Sequence, residues 1–168
     1  NGGVVGEGVV GSDESDGGAG DGLGAWEITV EPLADGDYVI GVVLEDLAGN
    51  INAALLNVLS VTIDTSAPQR PTMDLDTASD SGSSDLDNVT NDATPDVTIE
   101  SEAGTEVVIK DGNTVIDTFT STGLDTRTLA LADGTHLLSV EATDVAGNIS
   151  AQSEELVVVV DTAAPADP

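Results

Sequence analysis

Apolar and polar residues alternate with a period of two in two stretches of the chain. The apolar phase holds Tyr38, Ile40, Val42 and Leu44 in the first stretch and His136, Leu138, Val140 and Ala142 in the second. Alternation of this length predicts a β-strand with one buried face. Two further β-rich runs, at 59–63 and 156–160, predict the strand that follows each of them.

The two stretches belong to one long repeat. LADGDYVIGVVLEDLAGN at 33–50 returns 98 positions later as LADGTHLLSVEATDVAGN at 131–148, and each copy leads on to Asp-Thr-x-Ala-Pro, at 64–68 and 161–165. A period of about 100 residues is the size of one immunoglobulin-like β-sandwich. The sequence therefore predicts an all-β chain of tandem immunoglobulin-like Greek-key sandwiches, with about seven strands per domain.

The second copy is expected to be a complete domain at 68–168 with a C-terminal linker. Five more strands are predicted there, with a hairpin turn at 111–113 between the third and the fourth: 72–75, 96–100, 106–110, 115–119 and 126–131. The first copy, at 1–67, lacks counterparts of the first two strands. It is expected to be either truncated or completed by another segment, because missing strands leave a sheet edge unpaired.

Tyr38 and His136 occupy the same position of the repeat, two residues after an Asp-Gly turn. In Greek-key sandwiches this is the place of a tyrosine corner, in which the hydroxyl bonds to nearby backbone. The alternative is a tyrosine that only covers the core. His136 is interpreted as structural, because no partner suited to general-base catalysis lies near it in the sequence.

The net charge of the chain limits which classes of function are expected. The chain carries 32 Asp and Glu against 3 Lys and Arg, a formal net charge of −29, yet 39% of its residues are hydrophobic and gathered into the predicted strands. Such self-repulsion favours bound cations. Nucleic acid and membrane insertion are not expected, because there is no basic patch and no apolar run of about 20 residues. With no cysteine and one histidine, zinc and redox sites are excluded.

The densest group of acids lies between the first two strands of the second domain. Ca²⁺ takes six to eight oxygen ligands, several of them carboxylates in turns. We predict metal ligands in this segment at Asp76, Asp80, Asp85, Asp87, Asn91 and Asp92. A further ligand, Asp133, and the nearby Asp111 are expected at the same end of the domain. The spacing is not that of an EF-hand, and a solvated acidic loop is the alternative.

A second Ca²⁺ site is predicted at the junction between the domains. In a sandwich of this type, two loops lie at the end where the chain enters. These loops would bring Glu102 and Asp144 beside Asp64 and Thr65 of the incoming linker. Asp46 is expected to serve the equivalent junction of the first domain.

Seven motifs accompany the repeat. They are D-T-x-x-P at 64–68, S-D-x-G at 79–82, T-N-D-x-T-P at 90–95, E-A-G-x-x-V at 102–107, D-G at 111–112, L-A-D-G-x-[HY] at 131–136 and D-x-A-G-N at 144–148. Together they resemble the bacterial immunoglobulin-like repeats of giant calcium-dependent RTX adhesins. The resemblance implies a calcium-rigidified extender on a Gram-negative cell surface, exported by a type I system and used in attachment or biofilm formation. Its partners would be neighbouring repeats and, through other domains, a host or surface ligand.

No enzymatic activity is expected, because no nucleophile has a base near it in any motif. The remaining alternatives are a spacer and a module that binds a peptide or carbohydrate at the adhesin tip, with 1–24 as a specialised loop. A binder usually shows aromatic or arginine anchors. The chain has one Trp, one Tyr, one Phe and three Lys and Arg together, and this shortage favours the spacer.

Overall fold

The computed structural model describes residues 31–42, 48–51 and 56–167. The chain divides into two compact units, Asn1–Asp64 and Thr65–Pro168. The described residues form strands, turns and loops and contain no helix, so the predicted all-β class is confirmed. Nothing in this described part is a helix of the length and apolar character needed to cross a membrane.

In the first unit, β1 (Gly36–Val42) and β2 (Leu56–Ile63) form an antiparallel pair. They are the two strands that the first copy of the repeat predicts. Residues 1–30 lie outside the described residues, so the predictions of missing strands and of a specialised loop at 1–24 stay predictions. Asp46, the ligand predicted in this unit, also lies outside them.

The described residues of the second unit contain eight strands in two sheets. They are β3 (Thr72–Leu75), β4 (Val89–Thr90), β5 (Asp96–Glu100), β6 (Glu106–Asp111), β7 (Thr114–Thr120), β8 (Leu124–Thr128), β9 (Gly134–Thr143) and β10 (Leu156–Val160). One sheet has the order β3-β5-β8 and the other β4-β10-β9-β6-β7. Neighbouring strands are antiparallel except β4 and β10, which run parallel. This order is that of an immunoglobulin-like sandwich.

The core lies between the inner faces of the two sheets. Both contribute fully buried apolar side chains at alternate positions: Val97 and Ile99 from β5, Val107 and Ile109 from β6, Leu138, Val140 and Ala142 from β9, and Val158 and Val160 from β10. The intervening residues are partly exposed, as the period-two alternation predicts, apart from Ser139 on β9, which is 4% exposed. Removing this apolar area from water is the main force that holds the sheets together.

The strand predicted at 126–131 is misplaced by several residues, because β8 spans Leu124–Thr128. β8 pairs with β5 until Thr128 lies opposite Asp96. The next partner would be Pro95, which has no amide hydrogen for the ladder. The carbonyl of Pro95 still accepts a hydrogen bond from Leu129 N at 2.9 Å, so the chain continues beside it without a regular strand.

Tyr38 and His136 make equivalent bonds. The Tyr38 hydroxyl donates to Ala34 O at 2.9 Å, and His136 Nε2–H donates to Ala132 O at 2.8 Å, in each case four residues back. The tyrosine corner is therefore confirmed, and His136 forms the corresponding corner in the second unit. Each bond ties the start of its strand to the turn before it.

Candidate functional site

The strand registers assign the predicted metal ligands of the second unit to its two ends. At the entry end, Glu106 of β6 lies opposite Thr143 of β9. Glu102 precedes the first of these residues and Asp144 follows the second, so both lie at this end, as predicted. Thr65 begins the same unit, whereas Asp64 ends the first one.

The carboxylate of Asp144 is held inside its own turn. Oδ1 accepts hydrogen bonds from Ala146 N and Asn148 N, both at 2.8 Å, and Oδ2 accepts from Asn148 Nδ2 at 2.8 Å. The bond from the Asn148 side chain is the main cause of a lowered pKa of Asp144, and backbone amides of the turn add to it. The motif D-x-A-G-N is explained locally: the Asp accepts, the Asn donates, and Gly147 supplies the positive φ of 92°.

Glu102 borders an open depression at the same end. Its lining consists of Gln69, Arg70, Thr72, Glu100, Ser101 and Glu102. The basic group of this depression is already engaged, since Arg70 Nη1 lies 2.6 Å from Glu154 Oε1 and Arg70 Nε–H donates to Gln152 O at 2.6 Å. Glu102 itself is exposed, and its carbonyl accepts from Thr105 N and Oγ1.

At the opposite end of the unit, β10 lies between β4 and β9. Val160 of β10 is opposite Thr90 of β4 on one side and Gly134 of β9 on the other. Asp133 directly precedes β9, and its Oδ1 accepts hydrogen bonds from Thr162 N at 3.2 Å and Thr162 Oγ1 at 2.8 Å. Asp133 therefore ties the chain leaving β10 to the start of β9.

The acids between β3 and β4 mostly cap turns. Asp76 Oδ1 accepts from Ala78 N at 2.9 Å, Asp87 Oδ1 from Val89 N at 3.2 Å, and Asp92 Oδ1 from Thr94 N at 2.8 Å. Such bonds between an Asx side chain and an amide two residues on are a local reason for Asp in loops. Asn91 Oδ1 accepts from Ser81 Oγ, and Asp85 is exposed.

Asp80 differs from these acids. The residue is 6% exposed, and its Oδ2 accepts from Asn88 N at 3.2 Å, whereas its buried Oδ1 has no hydrogen-bond partner. Gly82 lies in the same loop, where its amide donates to Val89 O at 3.0 Å and a Cβ would come within 2.6 Å of that oxygen. This close approach explains the glycine of the S-D-x-G motif.

Within the part of the chain that the structure describes, no three His, Asp or Glu side chains form a group that could hold a metal ion. In the second unit Glu102 and Asp144 thus lie at one end and Asp133 at the other, but a ready-made cage of carboxylates is not among the described residues. The metal sites stay predictions.

An ion pair that the sequence did not indicate joins His136 and Asp111. His136 Nδ1–H donates to Asp111 Oδ2 at 2.7 Å, and Asp111 Oδ1 accepts from Leu137 N at 3.0 Å. Because Ala132 O and the carboxylate can only accept, this arrangement needs a proton on both ring nitrogens. Burial by itself would lower the pKa of His136, but the bonds to Ala132 and Asp111 and the charge of Asp111 raise it above its ordinary value. The bond from His136 is the main cause of the lowered pKa of Asp111.

Comparisons with known proteins give one family. A family model described as bacterial Ig-like domain matches residues 67–162, and the search of curated proteins found no match. A similar solved structure is the SGBP-B protein of the Bacteroides ovatus mixed-linkage glucan utilization locus in complex with a mixed-linkage heptasaccharide. It is 21% identical, with 80% of this chain and 32% of that chain covered and a TM-score of 0.28.

The present chain therefore spans about a third of that protein's length, since 32% of it is covered. At this TM-score the similarity carries no argument about a ligand. The family match includes every strand of the second unit, from β3 to β10, and extends over more than half of the sequence. This chain belongs to the bacterial Ig-like domain family.

Proposed function

We propose that the chain is a piece of an extracellular stalk, in which bacterial Ig-like domains serve as spacers of a cell-surface adhesin and Ca²⁺ stiffens them. The observation that carries this proposal is the state of the three basic side chains. Arg70 pairs with Glu154, Lys110 with Glu141, and Arg127 with Asp117. All Lys and Arg of the chain are thus already engaged with an acid, and a formal charge of −29 remains.

A charge of this size needs mobile or bound cations. Carboxylates crowded on a small domain repel one another, and divalent ions relieve this repulsion more effectively per ion than sodium does. Oxygen-rich turns favour Ca²⁺ over softer metals. Ca²⁺ would thereby couple the stability of the stalk to an extracellular medium, where modules of this kind bind at roughly 10⁻⁴ to 10⁻³ M.

The surface of the second unit favours a spacer over a sugar-binding module. Phe119 is the single Phe, Trp or Tyr among residues 65–168. Arg127 covers its ring, with the guanidinium carbon 4.8 Å from the ring centroid. Carbohydrate sites usually present an open aromatic face. The same guanidinium also bonds Asp117 at 2.7 Å, which holds it over the ring, so this face of Phe119 is not open to a sugar.

The test is a calcium titration of the full chain followed by calorimetry. A site at tenfold excess of Ca²⁺ over its Kd adds about 1.4 kcal/mol of stability by mass action, so several sites raise the melting temperature by many degrees. Sodium chloride at matched ionic strength is the control, since it screens charge without filling sites. If Ca²⁺ and sodium act alike, or chelation leaves the melting curve unmoved, the calcium part of the proposal is wrong.

The stiffening is tested by small-angle scattering. We expect a narrower distribution of interatomic lengths in Ca²⁺ than in chelator, because cations between adjacent repeats restrict their relative motion. A scattering profile that is the same in both conditions while the melting temperature rises would separate stability from stiffening and would contradict the stalk mechanism.

A further inference from the structure

We propose that Asp80 anchors a divalent-cation site in the loop between β3 and β4 and that the bound ion holds β4 against β10. The proposal rests on the proposed function for the identity of the ion, Ca²⁺. It rests on the described contacts for the place of the site and for what the site controls.

The loop is closed at its base by two contacts between its ends. Asp80 Oδ2 accepts from Asn88 N at 3.2 Å, and Gly82 N donates to Val89 O at 3.0 Å. Asn88 has a φ of 57°, in the left-handed region that non-glycine residues rarely adopt. Asn adopts this region more readily than other residues with a side chain, so Asn88 and a glycine without room for a Cβ fit the closed base of the loop.

Polar groups around the base are otherwise satisfied. Ser81 Oγ donates to Asn91 Oδ1 at 2.8 Å, lies 2.9 Å from Thr90 Oγ1 and accepts from Asn91 N at 3.1 Å. On the other side, Ser79 Oγ accepts from Asp96 N at 2.9 Å. These side chains near Asp80 therefore have hydrogen-bond partners, whereas Asp80 Oδ1 has none.

Asp80 Oδ1 is the one buried side-chain oxygen or nitrogen in the described part of the chain that lacks a hydrogen-bond partner. An ionised carboxylate can only accept, and a buried acceptor without a donor is costly. A cation removes this cost by binding the free lone pairs directly. The exposed acids Asp85 and Asp87 belong to the same loop, and carboxylate oxygens suit a hard ion.

The site would be weak and would be completed on binding. No three acids of the described residues form a ready group, so the ion takes Asp80 as its buried anchor. Loop carbonyls, water and the movement of Asp85 or Asp87 would supply the remaining oxygens. Ca²⁺ tolerates such irregular and flexible coordination, whereas Mg²⁺ demands a near-ideal octahedron. We therefore expect binding of Ca²⁺ at roughly 10⁻⁴ to 10⁻³ M and much weaker binding of Mg²⁺.

The structure indicates what the ion would control. The loop leads directly into β4, a strand of two residues that pairs parallel with the last strand, β10. Val159 N donates to Asn88 O and Asp161 N donates to Thr90 O, both at 2.9 Å. When the ends of a stalk domain are pulled apart, parallel strands near its entry and its exit slide along each other. These bonds then bear the load together, and an ion that fixes the loop fixes the pair.

The experiment compares the full chain with Asp80→Asn in Ca²⁺ and in chelator. Asn keeps an oxygen for the amide of Asn88 and removes the charge. Calorimetric titration should show Ca²⁺ binding weakened by about tenfold or more for one site. Hydrogen exchange of the Val159 and Asp161 amides should slow with Ca²⁺ in the original chain and not in Asp80→Asn. In chelator the variant should melt no lower than the original chain, because the buried charge is gone.

Asp74→Asn is the matched control. Asp74 is exposed on β3, and its Oδ1 accepts from Leu75 N, so the variant loses the same charge without touching the loop. It should keep the response of Val159 and Asp161 to Ca²⁺. If Asp80→Asn does not fold, the exposed pair of substitutions Asp85→Asn and Asp87→Asn decides, with weakened binding expected.

The outcomes separate this site from the proposed function. If the chain binds Ca²⁺ equally well with Asp80→Asn and with the paired substitutions, the ion lies elsewhere and this inference is wrong, while the stalk proposal stands. If Asp80→Asn lowers stability equally with and without Ca²⁺, Asp80 Oδ1 binds water in a structural role, and the inference is again overturned. If the original chain does not respond to Ca²⁺, this inference and the calcium part of the proposed function are both wrong.

Discussion

Ser153→Ala should destabilise the second unit, because it leaves a backbone amide of β9 without its hydrogen-bond acceptor. β10 pairs with β9 only between Gly134 and Leu138. Beyond that point the incoming chain is irregular, and Val140 N donates to Ser153 Oγ at 3.0 Å while Ser153 N donates back to Val140 O at 2.9 Å. The serine hydroxyl thus takes the place of a strand carbonyl.

Ser150 repeats the arrangement two residues further along β9. Ala142 N donates to Ser150 Oγ at 2.9 Å, and Ser150 N donates to Ala142 O at 2.8 Å. Both serines are almost fully buried, at 6% and 7% exposure, so water does not readily replace either hydroxyl. Removing one hydroxyl leaves one buried amide without an acceptor.

Such an orphaned amide costs about 1–3 kcal/mol. In a domain of roughly 100 residues, each kcal/mol lowers the melting temperature by about 4–8 °C. Ser153→Ala should therefore lower it by about 4 °C or more, and the double variant with Ser150→Ala by about twice as much, provided that the two sites act independently. The expected size is well above the effect of an ordinary surface substitution.

Calorimetry and amide exchange are the appropriate assays. The single Trp and the single Tyr, Trp26 and Tyr38, precede residue 65, so the second unit has no Trp or Tyr of its own to report its unfolding by fluorescence. Exchange at Val140 should accelerate more than global destabilisation requires. Ser83→Ala, at an exposed position, is the control. If Ser153→Ala has the same melting temperature as this control and the Val140 amide stays protected from exchange, the Ser153 hydroxyl is not the acceptor of that amide.

Two further predictions concern single side chains. Because the pKa of His136 is raised in the folded chain, its contribution to stability should be complete below its unfolded pKa, about 6.5, and should disappear as the pH rises through the folded pKa. His136→Tyr, which restores the residue of the first copy, should keep the bond to Ala132 and abolish this loss in melting curves between pH 5.5 and 8.5, whereas an unchanged pH profile would contradict the assignment. Asp144→Ala should accelerate amide exchange at Ala146 and Asn148 equally in Ca²⁺ and in chelator, because its carboxylate caps that turn. An effect seen only in Ca²⁺ would instead favour Asp144 as a metal ligand.

Local patterns in the sequence determined most of the sheet framework. The alternation around Leu138 and Val140 and the Asp-Gly-Asn turn at 111–113 act over a few residues, so they could be read without knowing the fold. The repeat added the equivalence of Tyr38 and His136. The strands predicted at 72–75, 96–100 and 156–160 have the bounds that the structure shows.

Only the tertiary structure decided the features that depend on distant partners. β4 is too short for any periodicity, and it exists as a strand because β10 lies beside it. β8 ends where its neighbour presents Pro95. Two side-chain contacts also depend on residues that are distant in sequence. His136 pairs with Asp111, 25 residues away, and the Ser153 hydroxyl accepts a hydrogen bond from Val140 N.

The acidic residues show the difference most clearly. The sequence indicates that Asp is abundant in turns. It does not separate the carboxylates that cap amides, such as Asp87 and Asp144, from Asp80, which keeps one oxygen buried and without a donor. Alternation is determined by the chain's own neighbours in sequence. Hydrogen bonding and burial are determined by whatever the fold brings alongside, and for that reason they emerge only from the folded structure.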